Sequence, residues 1–177
     1  MTTNLITKFI SSKKEHILYS LFLFAILLIR LWNISLLYEP WVWPDEAGYW
    51  SHAANMAGLS WTDVQPLWYS YGYSLLLTPL FWITQDITTM YHLAIFLNAI
   101  MGVFHFVLGK KIIDELSNSH NPMMSMLISF TSSCYSAYLY HSNIAWSETF
   151  LYTWFLLIIW SSIKFLKQVS WRYLAIF

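Results

Sequence analysis

The feature that most constrains this chain is the predominantly apolar run from residue 17 to 37, in which Arg30 is the single charge. At about 21 residues, the run is long enough to cross a bilayer core of about 30 Å. Lys8, Lys13 and Lys14 precede it. Because cations collect on the cytoplasmic side of a membrane, we expect an anchor whose amino end lies inside. A signal peptide would have an apolar region of roughly 7–15 residues and a small-residue cleavage site, and the run has neither.

The composition also indicates a membrane protein. Hydrophobic residues make up 58% of the 177 and charged residues only 10%, whereas a soluble domain has roughly 25% charged residues. The net charge is zero, which argues against nucleic-acid binding because that activity needs a basic face. Cys134 is the single cysteine, so the chain has no internal disulfide.

We predict an all-α membrane protein with about four transmembrane helices and the start of a fifth. The spans are expected near residues 17–37, 90–113, 122–140 and 147–165, and the fifth begins near 172 and stops within its first turn. No lysine or arginine occurs from residue 38 to 89, so this stretch is predicted to be an outer loop.

Within that loop, residues 68–84 are apolar enough to suggest another span. If they crossed the membrane, Lys110, Lys111, Lys164, Lys167 and Arg172 would all lie outside, against the positive-inside rule. We therefore expect a second interfacial or re-entrant helix at 68–84.

The first interfacial helix is expected at about residues 45–57, after Pro44, which suits a first helical turn. Its start carries the adjacent acids Asp45 and Glu46, and Tyr49 and His52 follow. Tryptophans surround the acids, and amphipathic aromatic residues favour the membrane–water boundary. The acids are therefore predicted to lie at the outer membrane surface.

Glu148, which follows Ser147 at the start of the fourth predicted span, is expected to emerge on the same outer surface. Carboxylates there suit a general base or, as the pair Asp45 and Glu148, ligands for Mg²⁺ or Mn²⁺. The alternatives are structural. Asp45 and Ser147 would be helix N-caps, and the Glu148 carboxylate would complement the positive end of the helix dipole.

Polar residues inside the spans have similar alternatives. Arg30 suits packing or contact with a lipid phosphate, and His92 and His105 suit hydrogen-bonded packing or a metal or proton site. Two stripes of small and polar residues are expected to join helices in lipid. The first comprises Asn98, Gly102, His105 and Gly109, and the second comprises Ser125, Ser129, Ser132 and Ser136.

The sequence resembles the C-type (GT-C) membrane glycosyltransferases, which include protein O-mannosyltransferases and lipid A aminoarabinose transferases. The likeness lies in an inside-out first helix followed by the Asp-Glu-x-x-Tyr element at residues 45–49. The likeness is closer to bacterial phospholipid-carrier-dependent enzymes, because residues 71–81, YGYSLLLTPLF, are similar to the run in their first loop. The resemblance covers essentially the whole chain, but only as the amino-terminal part of a family with roughly a dozen spans.

The resemblance implies inverting transfer of a sugar from a polyprenyl-phosphate carrier to a lipid or glycan acceptor, outside a bacterial cell membrane. Asp45 would be the catalytic base, Glu46 would support it, and Glu148, Tyr49, His52 and Arg30 would contact substrate. One departure is Gln65-Pro66, where aminoarabinose-type relatives carry Lys-Pro. The competing hypothesis is a non-enzymatic membrane protein, either a transporter piece or an assembly partner.

Overall fold

The computed structural model describes residues 2–35, 43–60, 71–117, 121–168 and 170–174, which are helical and contain no strand. The helices are α1 (Thr2–Ser35), α2 (Pro44–Met56), α3 (Tyr71–Leu77), α4 (Leu80–Ile83), α5 (Ile87–Leu116), α6 (Pro122–Ser133), α7 (Ser136–Ser142), α8 (Glu148–Gln168) and α9 (Trp171–Leu174). Helix α5 is central, since it packs against α1, α6 and α8. The all-α class predicted from the sequence is confirmed for these residues.

Three of the helical segments are long and apolar enough to cross a membrane. They are Lys13–Ile34 within α1, Ile87–Leu116 and Glu148–Gln168. These segments correspond to the first, second and fourth predicted spans. Together with the composition, they indicate an integral membrane protein.

The third predicted span, residues 122–140, is not one continuous helix. Helix α6 ends at Ser133 and α7 begins at Ser136. The 12 residues of α6 rise about 18 Å, which is less than the thickness of a bilayer core. At the break, the Tyr135 N–H donates to the Ser132 carbonyl, so the α-helical hydrogen-bond pattern does not continue.

Arg30 supplies a hydrogen-bond donor to the backbone at this break. Its side chain is only 2% exposed, and its Nη2 donates to the carbonyl oxygen of Ser133 over 3.0 Å. The guanidinium also lies over the Tyr138 ring, 4.7 Å from the ring centroid. A cation at a helix carboxyl end is favourable, and membrane-buried arginines typically pair with backbone carbonyls. The packing role considered for Arg30 is therefore observed, and its contact with a lipid phosphate stays a prediction.

Gly102 on α5 makes room for Arg30. A Cβ placed on Gly102 would lie 2.0 Å from the Arg30 Nε, far inside the 3.0 Å below which real Cβ atoms essentially never approach another heavy atom. Asn98 and Gly102, both from the first predicted stripe, are buried. His105 bonds Ser132 through its Nε2 at 3.2 Å, as the packing alternative predicts.

The second predicted stripe is only partly correct. Ser125 and Ser129 are buried as expected, and a Cβ on Gly109 would lie 3.3 Å from the Ser129 Oγ. Ser132 and Ser136, however, are exposed, and Ser133 is the buried residue instead. Within α6 the buried residues Ser125, Ser129 and Ser133 follow a spacing of four residues, and Ser132, one position before the last of them, is exposed but bonds His105. Ser136 lies beyond the end of α6, so the spacing of one continuous helix does not apply to it.

The predicted helix at 68–84 is shorter and divided. Residues 68–70 lie outside the described part of the chain, and the remainder forms α3 and α4 on either side of Thr78 and Pro79. Proline has no N–H to donate to the preceding helical turn. Neither short helix is long enough to cross a bilayer.

Candidate functional site

The acidic start of α2 is fixed by Glu46. The helix begins at Pro44, with Trp43 as its N-cap, and the Trp43 N–H donates to the Glu46 Oε2 over 3.1 Å. This bond is half of a capping box. Asp45 therefore lies inside the first turn, and the alternative that Asp45 is the N-cap is wrong.

Glu46 also joins α2 to two distant segments. Its Oε1 accepts from the Tyr91 hydroxyl at 3.0 Å and from the Ala145 N–H at 2.7 Å. The side chain is only 2% exposed. Burial raises the pKa of this carboxyl, while the bonds from Trp43, Ala145 and Tyr91 oppose the rise. Three donors on one buried carboxylate make Glu46 a clamp between α2, α5 and the segment before α8.

Tyr49 makes a second connection between α2 and the start of α8. Its hydroxyl bonds the Ser147 Oγ at 2.6 Å, and its ring packs edge-on against Tyr73 at 5.5 Å between centroids. Burial raises the pKa of Tyr49, the Ser147 bond lowers it, and the negative charges of Glu148 and Asp45 raise it further. Asp45 lies one helical turn before Tyr49 on α2, and Ser147 is the residue before Glu148, so Tyr49 connects the two acidic segments.

We call Asp45, Glu46 and Glu148 the acid site. Tyr73 is buried, which raises the pKa of its hydroxyl; the bond to Asn98 lowers this pKa, and the negative charges of Glu46 and Glu148 raise it. The expectation that the two acidic segments lie on one surface therefore agrees with the contacts around Glu46, Tyr49 and Tyr73.

The three carboxylates differ in access. Asp45 is exposed, Glu46 is buried and Glu148 is partly buried. The Oε2 of Glu148 has no hydrogen-bond partner among the described residues. An exposed carboxylate is able to accept a proton from an incoming hydroxyl, and a buried oxygen without a donor is available to a substrate or a cation.

His52 and Arg30 lie apart from the acid site. Helical rise places His52 about 10 Å from Asp45 along α2, and its ring stacks on Tyr71 at 4.9 Å. Arg30 lies against Gly102, which follows Tyr91 by about 16 Å along α5. The contacts of His52 and Arg30 with substrate therefore stay predictions.

A divalent cation would have few protein ligands here. The described residues contain no group of three or more His, Cys, Asp or Glu side chains able to hold a metal ion. Mg²⁺ commonly takes one or two carboxylates and completes its coordination with water and substrate phosphate. A cation shared by Asp45 and Glu148 therefore stays a prediction.

Residues that the sequence analysis did not assign to the site hold the segment between α7 and α8. Asn98 donates from Nδ2 to the carbonyls of Ile144, at 2.9 Å, and Ser142, at 3.3 Å, and it accepts from the Tyr73 hydroxyl at 3.2 Å. Asn98 is the polar interruption of an apolar run, which is a usable signal. Tyr73 and Tyr91 had none, because tyrosine is common near a membrane surface.

Comparisons with family models, curated proteins and solved structures gave no match to this chain. The chemistry is therefore argued from the acid site. An exposed carboxylate at Asp45, on a turn that the buried Glu46 holds in place, suits the removal of a proton from an acceptor hydroxyl.

Proposed function

We propose that this protein is an integral membrane glycosyltransferase. It transfers a sugar from a polyprenyl-phosphate carrier to a lipid or glycan acceptor, with inversion, at the outer face of a bacterial cell membrane. The observation that carries the proposal is the clamp at Glu46, which holds the Asp45 turn beside the segment leading to Glu148. The Asp-Glu-x-x-Tyr resemblance at residues 45–49 supplies the reaction type.

In this reaction Asp45 takes the proton from the acceptor hydroxyl. The acceptor oxygen then bonds to the anomeric carbon from the face opposite the carrier, and the bond from that carbon to the phosphate oxygen breaks. The electron pair leaves with the carrier phosphate, and one displacement inverts the centre. Glu46 positions the Asp45 turn, because all three of its hydrogen bonds are made to the protein itself.

Glu148 contributes at the leaving phosphate. Two carboxylates beside a phosphate would repel it unless a cation or a proton intervenes. A Mg²⁺ or Mn²⁺ ion held by Glu148, with water and the carrier phosphate as its other ligands, would supply charge neutralisation there and leave Asp45 free to act as the base. Tyr49 bonds Ser147, the residue before Glu148, and follows Asp45 by one turn of α2, which supports a role beside these two carboxylates.

The proposed topology has four spans. Helices α1, α5 and α8 cross singly, α6 and α7 together make the third crossing, and α2, α3 and α4 lie on the outer surface. The positive-inside rule supports this arrangement. It places on the cytoplasmic side the five cations Lys110, Lys111, Lys164, Lys167 and Arg172.

The second candidate, a transporter piece, is favoured by a different observation. A buried arginine at a broken helix is a feature of substrate and ion pathways in membranes. Arg30 at the end of α6 has that arrangement. If this candidate is correct, substrate flux into proteoliposomes falls in Arg30→Lys, whereas Asp45→Asn leaves flux unchanged.

The proposed function is tested with the native protein in nanodiscs, a radiolabelled polyprenyl-phosphate sugar and a candidate acceptor glycan. The expected result is labelled acceptor whose anomeric configuration is opposite to that of the donor. Empty nanodiscs are the control. Retention of configuration would contradict the single displacement, and absence of transfer with a panel of donors and acceptors would contradict the proposed function.

A further inference from the structure

A groove of about 700 Å³ lies beside the broken helix. Its walls come from four helices: His105 on α5, Leu127 and Ile128 on α6, Ala137 on α7 and Tyr152 on α8. Its lining is predominantly apolar, and Leu127, Ile128 and Ala137 are exposed on the protein surface. This volume is within the range of small-molecule sites, which are typically apolar with a few polar groups. We call it the α6–α7 groove.

The position of the groove across the membrane follows from the spacing of residues along α5. Tyr91 on α5 bonds Glu46, and His105 follows it by 14 residues, or about 21 Å of helical rise. Lys110 lies only five residues beyond His105. In the proposed topology, the groove therefore opens within the hydrocarbon layer, where only lipid or another membrane segment reaches it.

The upper end of the groove adjoins the acid site. His141 lines the groove, and its ring packs against Trp146 at 5.6 Å between centroids. Trp146 lies between Ala145, which donates to Glu46, and Ser147, which bonds Tyr49. A ligand in the groove would thus have its upper end beside the carboxylates and its lower end in the bilayer.

The shape of the α6–α7 groove favours a hydrocarbon chain over a transmembrane helix as its occupant. Helices pack by fitting continuous rows of side chains into one another, and the break at Cys134 and Tyr135 interrupts these rows between α6 and α7. The Nδ1 atoms of His105 and His141 are buried, so they are not exposed on the groove surface. The groove therefore offers mainly ring and aliphatic surface.

We propose that the α6–α7 groove binds the hydrocarbon chain of a single-chain lipid, which enters sideways from the bilayer with its polar head toward His141 and Glu148. The inference rests on the proposed function, because the carrier of the sugar donor is such a lipid. It adds the place where the chain lies and the direction in which the head points.

The test uses the native protein in nanodiscs doped with a single-chain alkyl phosphate that carries a diazirine in mid-chain. After illumination, mass spectrometry locates the labelled residues. The expected label is concentrated on residues 127–137 and on Tyr152, above the level on the exposed α1 residues Leu21 and Phe24. Equal labelling of α1 and the groove would overturn the proposal.

The matched variants are Ala137→Trp, which fills the groove from an exposed wall residue, and Ser136→Trp, which adds the same ring at an exposed neighbour outside the lining. Ala137→Trp is expected to lower the groove label about tenfold, and Ser136→Trp to leave it unchanged. Leu127→Trp provides a second filled groove if Ala137→Trp does not fold. Equal labelling of the filled and control variants, or crosslinks between two copies through α6 and α7 in place of lipid label, would overturn the site.

The sugar-transfer assay separates this proposal from the proposed function. Groove labelling that is lost in Ala137→Trp, in a protein that transfers no sugar, supports the lipid site and contradicts the transferase. Sugar transfer that continues at full rate in Ala137→Trp contradicts the lipid site and supports the transferase.

Discussion

Glu46 and Ala145 are 99 residues apart in the chain, yet the Ala145 N–H donates to the Glu46 Oε1 over 2.7 Å. The same oxygen accepts from the Tyr91 hydroxyl. One buried carboxylate thus fixes the acidic turn of α2 on α5 and on the segment before α8. The position of Asp45 relative to Glu148 depends on this clamp.

Removing the clamp is expected to destabilise the protein. Glu46→Ala leaves the Ala145 N–H without its buried acceptor and leaves the Tyr91 hydroxyl with the Asn143 carbonyl, 3.3 Å away, in place of the carboxylate. The expected cost is about 2–4 kcal/mol in the free energy of unfolding. Glu46→Gln keeps one acceptor oxygen and is expected to cost less. Unfolding in mixed micelles with increasing dodecyl sulfate measures both values, and equal stability of Glu46→Ala and wild type would contradict the clamp.

The pH dependence of stability should also report on Glu46. Because burial raises the pKa of Glu46 above its usual value of 4.5, the folded state holds its proton more tightly than the unfolded state. Its contribution is therefore complete below pH 4.5 and is lost as the pH rises through the folded-state pKa. The stability of wild type relative to Glu46→Gln should fall over that window, and a relative rise would mean that the pKa is lowered.

Gly102→Ala is expected to disrupt the Arg30 cap of α6. The new Cβ would lie 2.0 Å from the Arg30 Nε, so the arginine must move and the Ser133 carbonyl loses its donor, at a cost of about 2–4 kcal/mol. The control on the same helix is Gly109→Ala, whose Cβ would lie 3.3 Å from a Ser129 hydroxyl. It should remain within about 1 kcal/mol of wild type, since alanine favours a helix.

A double variant tests the cause. Arg30→Ala removes the side chain that collides with Gly102→Ala, so the two changes together should cost less than the sum of their separate costs. Additive costs would show that Gly102 and Arg30 act independently.

Cysteine labelling tests the proposed topology. In a Cys134→Ser background, Asp86→Cys at the start of α5 should react with a membrane-impermeant maleimide from outside. Leu116→Cys at the other end of α5 should react only after the membrane is opened. Both positions are exposed on the protein. Labelling of Asp86→Cys only from inside would reverse the direction of α5.

The sequence predicts the elements of this fold better than their connections. Proline at residue 44 followed by acids indicates the start of α2 correctly, because both residue types favour a first turn. The local sequence does not indicate which of the neighbouring acids, Asp45 or Glu46, is buried. Glu46 is the buried one because it accepts from the distant donors at Tyr91 and Ala145.

The break between α6 and α7 was missed for a similar reason. Residues 122–140 have the length and apolar character of one span, with no proline or glycine at residues 134–135 to indicate an interruption. The end of α6 at Ser133 is stabilised by Arg30, which is 103 residues away. Local propensity contains no information on such a partner, although a lone arginine in an apolar run does indicate that one exists.

The most direct test of the central claim is sugar transfer by Asp45→Asn, measured beside Asp86→Asn. Asp86 is an exposed acid that caps α5 through the Thr89 N–H, and asparagine is an equally good cap. If Asp45 is the base, Asp45→Asn should lose at least about 100-fold in transfer rate with unchanged folding, while Asp86→Asn retains the wild-type rate. Transfer at the wild-type rate in a folded Asp45→Asn variant would contradict the account.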